Sequence, residues 1–213
     1  MNRTDIINIY AEKLNAQSYL EIGVRVANDN FNKISIPYKV GVDPGLEGFF
    51  EATYCMTSDE FFKQNTKIFD IIFIDGLHET EQVSKDIENS LQILNKNGVI
   101  ICHDMNPLIK EYQLSISDPM RLKYVEQQKS IGDDRYGLWT GDCWKSFAYL
   151  RNTRQDLEMF VVDTDFGVGI IKKGDQKIIN LPSDLTYEYL EENRNEILNL
   201  KSVQEFLDII IQQ

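Results

Sequence analysis

A chain of 213 residues makes one domain of ordinary size, or one domain carrying extra helices. With 42% apolar and 26% charged residues it can bury a core and is not disordered. Its 34 acidic residues against 22 Lys and Arg give a net charge of −12, which argues against gripping nucleic acid or an anionic membrane through a general basic surface.

The longest apolar runs, at 71–74 and 99–102, are far too short to span a bilayer. The opening segment (MNRTDIINIYAEKLN) has no unbroken hydrophobic stretch and no small-residue cleavage site, so it is not expected to be a secretory signal. Cys55, Cys102 and Cys143 are widely spaced and odd in number. Reduced thiols in the cytoplasm are therefore the expectation, rather than a disulfide framework or a thiolate zinc site.

In chain order, Ile6, Ile7, Tyr10 and Leu14 recur at helical intervals and predict an opening helix over 4–16. Residues 18–24 (SYLEIGV) read as a first buried strand. Residues 38–43 (YKVGVD) read as a second, stopped by the Pro44-Gly45 turn signal. A short, weaker strand is expected over 51–56. Residues 69–75 (FDIIFID) form the nearly continuous apolar run of a central strand covered on both faces. Residues 79–95 place Val83, Ile87, Leu91 and Leu94 along one helical stripe, with Glu81, Lys85 and Glu88 opposite. Asn97-Gly98 ends that helix, and residues 99–102 (VIIC) begin the next buried strand.

Residues 104–140 carry two prolines, many charges and no clear period, and read as a long functional excursion with about one helix. Residues 141–151 look helical, 157–163 and 167–172 an antiparallel hairpin, and 183–213 a helical extension. The sum is a single α/β domain over 1–213: a doubly wound, mostly parallel sheet with helices on both faces and a late antiparallel hairpin. Ligands of such sheets sit beyond the carboxyl ends of the strands, where the strand order reverses.

Those strand ends carry the chemistry. The first ends in Glu21-Ile22-Gly23, where Gly23 admits close backbone approach and Glu21 can accept from an ammonium group. The dinucleotide fingerprint G-x-G-x-x-G and the P-loop are both absent. Asp43 closes the second strand at a spacing that suits a ribose diol; the plainer reading is a turn before Pro44. The only two histidines follow the fourth and fifth strands, in Asp75-Gly76-Leu77-His78 and Cys102-His103-Asp104. Two imidazoles and two carboxylates in one crevice can bind a divalent metal, or act as a base with its orienting partner. Asp75 as a helix cap and His103 as a loop hydrogen-bonder is the bland alternative. Asp142, a natural cap for the helix after it, and Trp144 return the excursion toward the same crevice.

The ordered motifs Tyr19-Leu-Glu-Ile-Gly-Val24, Gly41-Val-Asp-Pro44, Phe69-Asp-Ile-Ile-Phe-Ile-Asp-Gly-Leu-His78 and Gly98-Val-Ile-Ile-Cys-His-Asp104 resemble the class I S-adenosylmethionine-dependent methyltransferases. The resemblance spans about residues 18–172 and implies a Rossmann-like, seven-stranded sheet. It implies Glu21 and Gly23 at the methionine end of the cofactor, Asp43 on the ribose hydroxyls, Thr57 and Ser58 near the adenine, and Asp75 beneath the sulfonium. In metal-dependent catechol-type relatives the places of Asp75, His103 and Asp104 bind magnesium, and His78 stands where they carry a lysine base. Two departures stand out: Ala27 replaces a glycine of the first motif, and His103 replaces an acid.

The resulting expectation is S-adenosylmethionine-dependent O-methylation of a small polar acceptor such as a sugar, with His78 or His103 as base. A divalent metal is optional, residues 104–140 with Asp142 and Trp144 form the acceptor side, and neither nucleic acid nor membrane is a partner. Two other classes stand beside it: a catalytically inactive cofactor- or partner-binding module, and a metal-dependent hydrolase using the same His/Asp cluster.

Overall fold

The computed structural model describes residues 1–212, so Gln213, the last residue of the expected helical extension, lies outside the described residues. The elements run α1 (Arg3–Leu14), β1 (Ser18–Ile22), β2 (Tyr38–Val42), α2 (Ser58–Gln64), β3 (Phe69–Ile74), α3 (Thr80–Ile93) and β4 (Leu94–Cys102). They continue with α4 (Lys110–Gln113), α5 (Pro119–Ser130), α6 (Trp144–Thr153), β5 (Leu157–Val162), β6 (Val168–Lys173), α7 (Tyr187–Leu198) and α8 (Val203–Gln212). The six strands form one sheet in the order β2-β1-β3-β4-β6-β5, in which β6 alone runs against the others. The order reverses between β1 and β3, and their carboxyl ends define the crevice.

Strand alternation sorts the core into two layers. Leu20, Ile22, Ile72, Ile74, Ile100 and Cys102 face α3 and α6, meeting Val83, Ile87, Trp144 and Phe147. Tyr19, Ile71, Phe73, Val99 and Ile101 face the other way, onto Ile6, Ile7 and Tyr10 of α1 and Phe206 of α8. Full burial of each such aliphatic side chain contributes roughly 1.5–3 kcal/mol, enough for these two layers to fix the strand register.

Among the described residues the sheet has six strands, not seven. The strand expected over 51–56 is reduced to one parallel bridge between Val42 and Tyr54. The Thr53 hydroxyl accepts the Gly41 N–H at 3.0 Å, so a side chain intercepts a bond that a continuing strand would have made. The fifth expected strand, at 99–102, begins earlier than its Gly signal suggests: β4 starts at Leu94, opposite Phe69, and its register shifts before Val99 pairs with Ile71. The excursion holds α4 and α5. The C-terminal extension is two helices, divided where Asn199 adopts a left-handed φ of 45°. No helix among the described residues is long and apolar enough to cross a membrane.

Candidate active site

Three short connections bring the strand ends together. The Asp75 N–H donates to the Ile22 carbonyl at 2.8 Å and the His103 N–H to the Ile74 carbonyl at 3.0 Å, which extends the ladder past the strands. Gly23, at φ +90°, lies so close to β3 that a Cβ would stand 2.1 Å from the Asp75 carbonyl oxygen. The glycine is thus required by the neighbouring backbone, whatever ligand lies above it. Gly141 plays the same part for His78, whose carbonyl oxygen would be 1.8 Å from a Cβ there.

The result is a closed circuit of four side chains. His78 Nε2 lies 3.3 Å from Asp75 Oδ1 and 3.3 Å from Asp104 Oδ2. His103 Nδ1 lies 3.3 Å from the same Asp75 oxygen and 3.1 Å from the same Asp104 oxygen. Asp104 holds a left-handed φ of 63°, a conformation that Asp tolerates better than most residues and that aims it back at the histidines. Asp75 does not cap α3. Burial alone would raise its carboxyl, but the two imidazoles, His103 foremost, hold it well below the usual carboxylate range. Burial opposes the charged form of each histidine, and the facing carboxylates outweigh it, so both are raised, His103 strongly.

Two further residues complete the cluster, and no local sequence signal marks them. Arg3, at the start of α1, places Nη1 3.2 Å from His103 Nε2 and 3.3 Å from Asp165 Oδ2, with Nε 3.8 Å from Asp75 Oδ2. Asp165 comes from the β5–β6 turn, and it also accepts the Arg3 backbone N–H at 2.8 Å. Burial works to raise the Asp165 carboxyl, but His103 and Arg3 bring it down to about 2.

The other expected site residues divide. Asp43 sits beside Gly23 at the crevice, its carboxylate accepting the Arg25 N–H at 2.8 Å and the Gly45 N–H at 2.7 Å. Glu21 is buried beneath the loop, where Tyr19 Oη–H donates to it at 2.5 Å and Asn30 Nδ2 at 2.9 Å; burial pushes its carboxyl up to about 8. The N–H of Ala27, at the departed glycine position, donates to Glu51 at 2.8 Å. Thr57 is the N-cap of α2, in a capping box with Glu60, and Ser58 accepts from Gln82 at 3.2 Å.

Asp142 caps a helix, though not its own. Its Oδ1 accepts the Thr80 N–H at 2.8 Å, so it closes the start of α3, where Glu79 makes no side-chain cap. The cap of α6 is instead Cys143, which has no side-chain hydrogen bond there. Trp144 is fully buried and donates from Nε1 to Gln113 Oε1 at 2.7 Å. A cleft of roughly 270 Å³ opens beside the cluster, lined by His78, Glu79, Thr80, Glu81, Gln113, Ser115, Trp139, Gly141 and Asp142. Asp142 lines it directly, whereas Trp144 acts on it through Gln113.

Among the described residues, donor atoms of Asp75, His78 and Asp104 lie within 4.8 Å of one another and fit a metal ion. In that set His78 takes the place expected for His103.

Comparisons with known proteins bear on the fold that carries this cluster. Residues 12–105 match the family described as a methyltransferase domain. A methyltransferase from Podospora anserina, solved with S-adenosylhomocysteine bound, superposes with a TM-score of 0.51 at 13% identity, over 81% of this chain and 78% of that one. A candidate O-methyltransferase from Klebsiella pneumoniae superposes with a TM-score of 0.52 at 10% identity, over 81% and 80%. A comparison with curated proteins returns no match. Strand order and structural likeness therefore converge on the class I methyltransferase fold, and residues 12–105 are similar to the methyltransferase-domain family.

Proposed function

We propose that the protein transfers a methyl group from S-adenosylmethionine to a hydroxyl of a small polar acceptor, with His78 as the general base. The observation that carries this reading is the state of His78. Its Nε2 faces Asp75 and Asp104 at 3.3 Å each, while its Nδ1 is buried without a hydrogen-bond partner, in a residue that lines the cleft. A base held by carboxylates through one nitrogen, with no protein partner at the other, is an arrangement suited to taking a proton from an acceptor that reaches it. His103 is engaged at both nitrogens, by Asp75 and Asp104 on one side and by Arg3 and Asp165 on the other, so of the two histidines it is the positioning one.

The cofactor groove would be formed by Gly23, Asp43 and the backbone of the first loop, with Glu21 supporting the methionine end and Thr57 and Ser58 the adenine side. The residues fit: each Asp43 oxygen accepts one backbone N–H and keeps a lone pair for a ribose hydroxyl. When bound, the cofactor supplies a methyl group on a sulfonium, so that the acceptor oxygen gains the carbon as the carbon–sulfur bond breaks with its electron pair returning to sulfur. His78 Nδ1 takes the hydroxyl proton as that oxygen attacks. Asp75 and Asp104 hold the ring and stabilise the imidazolium that forms. General-base catalysis of this kind is worth typically about 10²–10⁴-fold, the rest coming from alignment of the reactants.

A second reading rests on the convergent donors of Asp75, His78 and Asp104. A divalent ion held there would lower the pKa of the acceptor hydroxyl, and the nitrogen donor favours a first-row transition metal over magnesium. His78 would then be a ligand and not the base. Incubation with methyl-labelled S-adenosylmethionine and a panel of hydroxyl acceptors, with and without a chelator, tests both. Methylated product unaffected by chelation supports the base; product abolished by chelation supports the metal. Failure to bind the sulfonium compound refutes the transferase itself.

A further inference from the structure

The cleft beside His78 has a wall that the methyl-transfer chemistry does not use. Trp139 lies with its ring centroid 5.0 Å from that of His78, tilted by 32°. Its Nε1–H donates to the Leu114 carbonyl at 2.8 Å, so the indole is pinned by its polar edge. Arg121, itself buried and bonded to the carbonyls of Glu111 and Leu138, stands 5.7 Å from the ring. The indole therefore sits in the cleft wall as a fixed platform.

The remaining lining is polar. Thr80, Gln113 and Ser115 are neutral hydrogen-bonding residues, and Glu79, Glu81 and Asp142 are acidic; among the described lining residues there is no lysine or arginine. The Gln113 oxygen is occupied by Trp144, which assigns its NH₂ group to whatever enters. One aromatic wall against many polar groups suits a ring with apolar C–H faces and hydroxyl edges; a flat phenol would leave most of those polar groups unpaired. At roughly 270 Å³ the cleft is below the range of about 300–1,000 Å³ that takes drug-sized ligands, so a single ring fits and a nucleotide does not. Glu79 and Glu81 repel a phosphate or carboxylate on the acceptor, Asp142 being paired with Lys145 at 3.6 Å.

We propose that Trp139 is the acceptor platform, and that the acceptor is a single-ring polyhydroxyl compound of the monosaccharide type carrying no anionic group. This assignment rests on the transferase reading for its purpose, while binding can be measured without turnover. The protein has two tryptophans, Trp139 and the fully buried Trp144, so intrinsic fluorescence reports on the platform against a constant background.

The test is a fluorescence and calorimetric titration of the full chain, without cofactor, using methyl α-D-glucopyranoside, glucose 6-phosphate and catechol as probes. The neutral glycoside should bind and alter the emission, and Trp139→Phe should lose the emission change. Trp139→Ala should weaken binding by roughly 2- to 12-fold, the worth of one stacking contact. Glucose 6-phosphate should bind several-fold more weakly, and the gap should narrow in a Glu79→Gln, Glu81→Gln double variant and at high salt, where surface charge is screened. Thermal melts establish that the variants are folded. Equal or tighter binding of the phosphate, binding of catechol alone, an unchanged Trp139→Ala, or no response to the glycoside would each overturn the assignment. Sulfonium binding in a chain that ignores the glycoside refutes only the acceptor; glycoside binding in a chain that ignores the sulfonium refutes the transferase reading.

Discussion

Replacing Glu21 by Gln should remove a pH-dependent weakness from the fold. The Glu21 carboxyl is raised from 4.5 to about 8 because it is 1% exposed, with Tyr19 and Asn30 supplying hydrogen bonds and no cation close enough to compensate burial. A carboxyl whose folded value exceeds its unfolded one binds more protons when folded, so its stabilising contribution is complete below pH 4.5 and is lost as the pH rises to 8. Each unit of separation is worth about 1.4 kcal/mol, so wild-type stability should fall by about 2–3 kcal/mol between pH 6 and pH 8 relative to Glu21→Gln, which does not ionise. Urea unfolding at the two pH values measures this, provided the m-values agree. A stability difference that stays constant between them would show that Glu21 ionises as in water, and would refute the picture of a neutral carboxyl beneath the first loop.

Other consequences follow from single contacts. Asp142→Ala removes the side chain that closes the start of α3 and should lower stability by about 1 kcal/mol in urea unfolding. Gly23→Ala sets a methyl 2.1 Å from the Asp75 carbonyl at a φ of +90°; a loss of at least about 2 kcal/mol is expected by thermal melting, with weakened cofactor binding by calorimetry. Arg3→Ala leaves Asp75 and Asp165 with the imidazoles as their remaining counter-charges. With Arg3 26% exposed, the loss should be about 1–2 kcal/mol, and Asp165→Asn in the same chain should recover part of it in a double-mutant cycle.

The layers of this fold are legible in the chain because buried parallel strands must be continuous apolar runs: 69–75 and 99–102 announce themselves, and their carboxyl ends carry both histidines. What escaped was set by contacts that no local pattern encodes. Arg3 reaches His103 and Asp165 across 100 and 162 positions, and it begins a helix whose periodicity marks only the face carrying Ile6, Ile7 and Tyr10. Trp139 lies in an aperiodic excursion, and nothing in its neighbours places it against His78. Asp142 was readable as a cap, yet which helix it serves depends on α3 arriving beside it. Thr53 shows the opposite failure: a plausible strand gives way because one hydroxyl satisfies the Gly41 N–H. Glu21, legible as a ligand-facing acid, is held from below by Tyr19 and Asn30.

The claim that His78 is the base is tested most directly by single-turnover methyl transfer in His78→Ala, with cofactor affinity measured on the same preparation. The account predicts a rate about 10²–10⁴-fold lower with S-adenosylmethionine binding unchanged. Transfer at the wild-type rate in His78→Ala, in protein that binds the cofactor normally, would contradict it.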